Sequence, residues 1–230
     1  MYLIIGGSSD IGYKIASELA NTDDVLLTYR NVKNLKKINN NKYNIIYKKL
    51  DLKNFQNIRN FVSSNKKILK NIKFINLATI TSDKMINKIQ PVDLLNVFKI
   101  NIFSNILFCK ELLPIMLDQN YGRFVFFTST RASRGDVGIS LYSASKEGLA
   151  GFSRCLAKEY SRFDITSNCL KLGYFNTKLF KNISNRIKNK LLNEIPSKKL
   201  GDSKNISNAI KTIVDSNYIN GSIINIDGGI

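Results

Sequence analysis

Tyr2-Leu3-Ile4-Ile5-Gly6-Gly7-Ser8-Ser9-Asp10-Ile11-Gly12 is the stretch that decides how this chain folds. Four strand-forming residues run straight into a glycine–serine loop, and apolar residues at helical spacing follow from Ile11 to Leu19. In α/β proteins such a strand–loop–helix junction holds phosphate on free amides and the positive end of the helix. Gly6 and Gly7 permit a tight turn, and Gly12 permits close contact between helix and sheet. Ser8, Ser9 and Ile11 complete the loop. Asp10 suits a helix cap, although it sets a carboxylate where a pyrophosphate would lie. An ordinary strand-to-helix turn is the alternative reading of the loop.

Outward from that junction, short apolar strands and helical stretches alternate. Strands are expected over residues 25–29, 44–50, 74–78, 123–128, 166–170 and 222–226. Helices are expected over 33–38, 54–65, 92–118 with an interruption near Pro114, 141–161, and within 177–215. Buried strands that alternate with helices read as a Rossmann-type, doubly wound parallel sheet with helices on both faces. With 230 residues, 43% hydrophobic content and no internal repeat, the chain is expected to form one catalytic domain over 1–230.

The second strand ends in Thr28-Tyr29-Arg30-Asn31. In dinucleotide folds this position faces the adenosine ribose, where a carboxylate selects NAD and an arginine accommodates the 2′-phosphate of NADP. Arg30 is present and no carboxylate is, which points to NADP(H), unless Arg30 is only a solvated strand-end charge. Asp51, at the end of the third strand, is a candidate for the adenine amino group or simply a turn-forming Asp.

Composition limits the alternatives. The net charge of +18 comes from 35 basic residues, 27 of them Lys, spread along the chain with no basic tail and no aromatic–basic repeat. That argues for a compositional bias over nucleic-acid binding, while leaving room for steering an acidic substrate or an acidic carrier protein. No apolar run reads as long enough to span a bilayer. The N-terminus lacks the layout of a signal peptide. Cys109, Cys155 and Cys169 read as reduced core residues of a cytoplasmic protein.

The chain contains no histidine. Proton transfer near neutral pH therefore falls to a perturbed Tyr, Lys, Cys or carboxylate. Tyr142 and Lys146 lie four apart on a predicted helix, hence on one face, and Ser129 stands thirteen residues before the tyrosine. The lysine's charge is expected to favour tyrosinate and lower the phenol's pKa. A tyrosine acid, a lysine that tunes it and a serine that hydrogen-bonds an oxygen form a carbonyl-reducing set.

With these motifs the chain resembles the short-chain dehydrogenase/reductase family over its whole length, and within it the 3-oxoacyl-[acyl-carrier-protein] reductases. Further matching stretches are Gly122-Arg123-Phe124-Val125, Tyr142-Ser143-Ala144-Ser145-Lys146, Gly148 to Ser153, Ile80-Thr81-Ser82-Asp83, Tyr218-Ile219-Asn220-Gly221 and Asp227-Gly228-Gly229. The resemblance implies that Tyr142 protonates the carbonyl oxygen, Ser129 holds that oxygen, and Lys146 binds the nicotinamide ribose. It implies that Asn101 positions a relay water, and that Gly173, Phe175 and Thr177 lie beside the nicotinamide. Leu52, Asn76 and Ala78 are implied to line the cofactor. Ile5 stands where the family usually has Thr, Asp10 replaces the middle loop Gly, Asn76-Leu77-Ala78-Thr79 replaces Asn-Asn-Ala-Gly, and Leu172 replaces a Pro. Where carrier-protein reductases place two basic segments at the site mouth, this chain has Asp118-Gln119-Asn120 and Arg162-Phe163. The expected function is NADPH-dependent reduction of a ketone, foremost a 3-oxoacyl thioester, with a keto-sugar or secondary-metabolite ketone as the alternative. A non-catalytic cofactor- or polyanion-binding protein is the remote one. The apolar surplus on the helices at 92–118 and 141–161 predicts a homotetramer, or a dimer.

Overall fold

The computed structural model describes residues 1–40, 42–177, 180 and 184–230. Seven parallel strands form one sheet in the order β3-β2-β1-β4-β5-β6-β7. They are β1 (Tyr2–Ile5), β2 (Val25–Tyr29), β3 (Ile45–Lys49), β4 (Lys73–Asn76), β5 (Gly122–Ser129), β6 (Ile165–Leu172) and β7 (Ile223–Ile226). The helices are α1 (Asp10–Leu19), α2 (Phe55–Asn65), α3 (Pro91–Phe98), α4 (Ser104–Asp118), α5 (Thr130–Arg134), α6 (Ser140–Tyr160), α7 (Asn185–Glu194) and α8 (Ser203–Asp215). This is a Rossmann-type α/β fold.

Period-two alternation splits the core between the two sheet faces. Leu3, Ile5, Phe74, Phe124 and Phe126 point to the side covered by α2, α4 and α6. There Phe74 packs on Phe108, with ring centroids 5.1 Å apart, and edge-on to Phe124. Tyr2, Ile4, Leu27, Ile75 and Val125 point to the other side, where Ile15 of α1 and Ile206, Ile210 and Ile213 of α8 cover them. At the far end of β5, Arg123 is buried, donates to the Val214 carbonyl at 3.0 Å and pairs with Asp164 at 3.0 Å.

The structure departs from the sequence reading at several places. The helix expected over 33–38 is only a 3₁₀ turn at Val32–Asn34. Beyond it the Ile38 amide donates to the Tyr47 hydroxyl at 2.6 Å and not to a helical carbonyl. The long helix is not interrupted at Pro114, which lies inside α4. The break comes earlier, as a π turn over Lys99–Phe103 in which the Ser104 amide reaches back to the Lys99 carbonyl. Helix α5, directly after β5, was not expected at all. Part of the helical reading for 177–215 falls on residues 178–179 and 181–183, outside the described ones. By length and composition the Pro91–Asp118 stretch is able to cross a membrane, contrary to the sequence reading. Half of its most apolar window is buried, however, and α4 packs against α2 and β5. Cys109 and Cys169 are buried as expected, whereas Cys155 is exposed.

Candidate active site

β1 has β2 on one side and β4 on the other, so the connections leave it in opposite directions. The crevice that opens at such a reversal, beyond the carboxyl ends of the strands, is where α/β folds bind ligands. Two adjoining cavities, of about 510 Å³ and about 1090 Å³, occupy it here and share Leu77 and Thr79 as a common wall.

The smaller cavity is lined by Gly6, Ser8, Ser9, Arg30, Asp51, Leu52 and Ala78. Gly6 sits at φ +79°, and a Cβ there would lie 2.8 Å from the Ala78 nitrogen. Its amide is held by the Thr28 hydroxyl at 3.2 Å, a contact that sequence reasoning missed. Gly12 must be glycine because a Cβ would fall 2.6 Å from the Gly6 carbonyl. A Cβ at Gly7 would collide with Leu27 Cγ, and Gly7 and Gly12, expected to bind cofactor, line neither cavity but back the turn. The helix cap is Ser9, which accepts from the Gly12 amide at 3.1 Å, and not Asp10. Asp10 instead approaches Lys14, one turn on, at 3.8 Å. Asp51 uses one carboxylate oxygen on the Lys53 amide, so its turn-forming role holds while it also lines the cavity. Among the described residues no carboxylate pairs with Arg30. Asn76 corrects the sequence reading: it is buried behind the wall, where it accepts from the Ala78 amide and donates to Asn105.

The larger cavity collects Ser129, Tyr142, Lys146, Gly173, Phe175, Thr177 and Ile11. Ser129 ends β5 in extended geometry and stands at the start of α5 without capping it, which leaves its hydroxyl to the cavity. Tyr142 and Lys146 lie in the first two turns of α6. Gly173 lies so close to Asp227 that a Cβ would sit 2.7 Å from the Asp227 Cα. The Thr177 hydroxyl accepts from the Phe180 amide at 3.3 Å, which is a capping contact. Arg131 pairs with Asp136 at 2.9 Å, and Arg134 pairs with Asp136 and with Glu194 of α7. These arginines were also absent from the sequence reading, because only the α5 turn brings them to the cavity.

The electrostatics differ from expectation in one respect. Burial pushes the Tyr142 phenol above its ordinary value, and the neighbouring Ser129 hydroxyl and Arg131 pull it down less strongly. The lysine does not depress it. Lys146 Nζ donates to the Phe127 carbonyl at 2.8 Å and lies 5.7 Å from the centre of the Tyr142 ring. Burial lowers Lys146 itself to about 8. Tyr142 is therefore a protonated phenol at neutral pH, a proton donor, beside an amine whose charge is easily lost.

Asn101 is fully buried in the π turn and lines neither cavity. Its Oδ1 accepts from the Ile80 amide and the Thr79 hydroxyl, and its Nδ2 donates to the Ile80 carbonyl and Ser145 Oγ. Among the described residues no group of three or more His, Cys, Asp and Glu side chains is placed to hold a metal ion.

Fold, crevice and the Ser129–Tyr142–Lys146 set define an oxidoreductase acting on a carbonyl–alcohol pair. The model for the short chain dehydrogenase family matches residues 1–188, and the chain belongs to that family. Its relatives include 3-oxoacyl-[acyl-carrier-protein] reductase FabG of Buchnera aphidicola subsp. Baizongia pistaciae, 33% identical over 99% of this chain and 95% of that protein. The FabG of Buchnera aphidicola subsp. Schizaphis graminum is 34% identical with the same coverage. Carbonyl reductase family member 4 of Xenopus laevis is 29% identical over 99% of this chain and 96% of its own.

The lowered Lys146 value has a consequence for stability. The folded state holds that proton less tightly than the unfolded chain, so the charged amine costs stability below about pH 8. The cost fades as pH rises from about 8 towards the ordinary lysine value of 10.5. Urea unfolding of the wild type and of Lys146→Met should show the wild type gaining stability relative to the variant across that window. A constant difference between the two would contradict the buried, easily deprotonated amine.

Proposed function

We propose that the chain is an NADPH-dependent ketoreductase that reduces a 3-oxoacyl thioester, carrier- or CoA-linked, to the secondary alcohol. The observation that carries this reading is a half-buried Tyr142, its phenol pushed above its ordinary value, beside the Ser129 hydroxyl in the cavity of about 1090 Å³. The chemistry of the crevice fits a nicotinamide dinucleotide. α1 offers its N-terminus, and Arg30 offers a guanidinium that no carboxylate pairs with among the described residues. When bound, that cofactor supplies the hydride. Arg30 would hold the 2′-phosphate, Gly6, Ser8 and Ser9 the pyrophosphate, and Lys146 with Gly173, Phe175 and Thr177 the nicotinamide end.

The chain's own part is proton delivery. Ser129 orients the substrate's carbonyl oxygen and Tyr142 gives that oxygen its phenolic proton as negative charge develops. A phenol that stays protonated suits reduction better than oxidation, which would need a base. The apolar residues around the larger cavity, Val137, Phe180, Ile187 and Leu191, suit an acyl chain better than a polyol. The names of the relatives support the same substrate class. The excess of Lys and Arg, with exposed Arg162 in a 3₁₀ turn after α6, suits an acidic carrier as partner. We read residues 1–230 as one catalytic domain acting in the cytoplasm.

The assembly expected from the sequence keeps half of its support. Val92, Leu94, Leu95, Phe103 and Ile106 leave an apolar surface exposed on α3 and the start of α4. On α6, by contrast, Leu149 and Leu156 are buried in the protein's own core. We propose that the exposed helix face meets a second copy, as a dimer or within a tetramer.

Assays of NADPH oxidation against 3-oxoacyl thioesters and keto-sugars test the activity. Tyr142→Phe should lower turnover by about 10²–10⁴-fold while leaving NADPH binding intact; near-normal turnover would remove Tyr142 from the reaction. The wild type should prefer NADPH to NADH, and Arg30→Ala should abolish the preference; equal use of both by the wild type would reduce Arg30 to a surface charge. Light scattering should give a mass two or four times 26.1 kDa at micromolar concentration. The monomer mass would contradict the proposed interface.

A further inference from the structure

Asn105 stands one turn after Asn101 at the start of α4, buried to 2% exposure and outside both cavities. It nevertheless joins them through a chain of five hydrogen bonds whose direction is fixed at each step. The Ala78 amide donates to Asn76 Oδ1 at 2.9 Å, so the other end of that carboxamide is Nδ2. Asn76 Nδ2 donates to Asn105 Oδ1 at 2.9 Å, and Asn105 Nδ2 donates to the Asn101 main-chain carbonyl at 2.9 Å. Asn101 Nδ2 then donates to Ser145 Oγ at 3.0 Å, and Ser145 donates to the Tyr142 carbonyl at 2.7 Å. All five donors point the same way, from the wall of the cofactor cavity to the catalytic helix; bonds polarise one another on either side of Asn101, within which the chain passes from the main-chain carbonyl to the side-chain amide.

Two features of this chain make Asn105 necessary. In the π turn the ladder shifts to five-residue spacing, with Ser104 bonding the Lys99 carbonyl. Within the turn Asn105 Nδ2 gives the Asn101 carbonyl a side-chain donor, as Ser104 Oγ gives one to the Ile100 carbonyl at 2.6 Å. Segment 76–80, which walls both cavities, reads Asn-Leu-Ala-Thr-Ile and passes against Gly6. Two carboxamides fix it: Asn76, backed by Asn105, at one end and Asn101 at the other.

We propose that Asn105 is a positioning residue for the reaction. It clamps the cofactor wall to the catalytic helix, holding Asn76 on one side and the Asn101 main-chain carbonyl on the other. The turnover part of this inference rests on the ketoreductase reading; the cofactor-binding part stands without it.

The test uses Asn105→Leu, which keeps the branched heavy-atom skeleton and removes both hydrogen bonds, together with Ser145→Ala and the double variant. NADPH affinity is followed by the cofactor's fluorescence and turnover by its oxidation with a 3-oxoacyl thioester. Asn105→Leu should weaken NADPH binding and lower kcat by about tenfold each, with the thioester KM within about twofold of wild type. Ser145→Ala should lower kcat by about tenfold as well. Because both act through Asn101, the double variant should be no more than about twofold worse in kcat than the worse single one. Merely local packing effects would multiply, to about a hundredfold, and would overturn the clamp. Wild-type affinity and kcat in Asn105→Leu would also overturn it. A higher kcat would do so too, by showing that capture of the Asn101 carbonyl obstructs proton supply. Asn105→Ser, which leaves room for a water, replaces the leucine variant in the same measurements if that one does not fold. If the wild type oxidises NADPH with no carbonyl compound, the ketoreductase reading fails, and the binding arm still decides the clamp.

Discussion

The constraint on which the rest of the site depends is the withdrawal from water of Tyr142, half-buried, and Lys146, buried, in a protein without histidine. Taking a phenol and an amine out of water disfavours the charged form of each. The tyrosine therefore keeps its proton and the lysine gives its own up more easily, its ammonium donating to the Phe127 carbonyl at 2.8 Å. The two groups are held there from two sides. β5 delivers the Phe127 carbonyl and Ser129, and α6 delivers Tyr142 and Lys146. α6 in turn is anchored to β6 through Ser153 and Ser167, whose hydroxyls meet at 2.7 Å, and to the π turn through Ser145 and Asn101. Acid strength in this site is set by desolvation and geometry together.

Much of this was legible in the sequence. The alternation of both-face-buried strands with helices gave the doubly wound sheet, because side-chain period reports directly which faces meet a core. The glycine loop was readable because no other residue fits at Gly6 or Gly12. Ser129, Tyr142 and Lys146 meet in one cavity as their spacing implied. What was not legible depends on contacts between distant elements. Four-residue spacing put Lys146 on the tyrosine's face but did not reveal that its ammonium turns to a carbonyl of β5, nor that desolvation raises the phenol. Asn76 looked like a cofactor ligand and faces Asn105 instead. Pro114 looked like a helix break, yet a proline removes only one bond and its helix is held by core packing. The actual irregularity, the π turn, has no residue signature of its own; it shows only in the structure, where the Ser104 amide reaches back to the Lys99 carbonyl.

The polar core under the catalytic helix also shows how family pattern and individual sequence coexist. This chain lacks the second Asn and the Gly of the usual Asn-Asn-Ala-Gly segment and has Leu77 and Thr79 there. Thr79 bonds Asn101, and Asn76 is backed by Asn105, so the wall of the crevice is fixed by groups drawn from β4, the π turn and α4. Departures in one short motif are thereby matched by polar residues elsewhere, each with its partner.

The central claim is that burial holds Tyr142 protonated, as an acid ready for reduction. The most direct measurement is the pH titration of the Tyr142 ring Cζ carbon by NMR, in protein labelled at tyrosine and assigned with Tyr142→Phe. The account predicts a resonance that stays at the phenol position past the ordinary tyrosine value near 10. A transition to phenolate near neutral pH would contradict it.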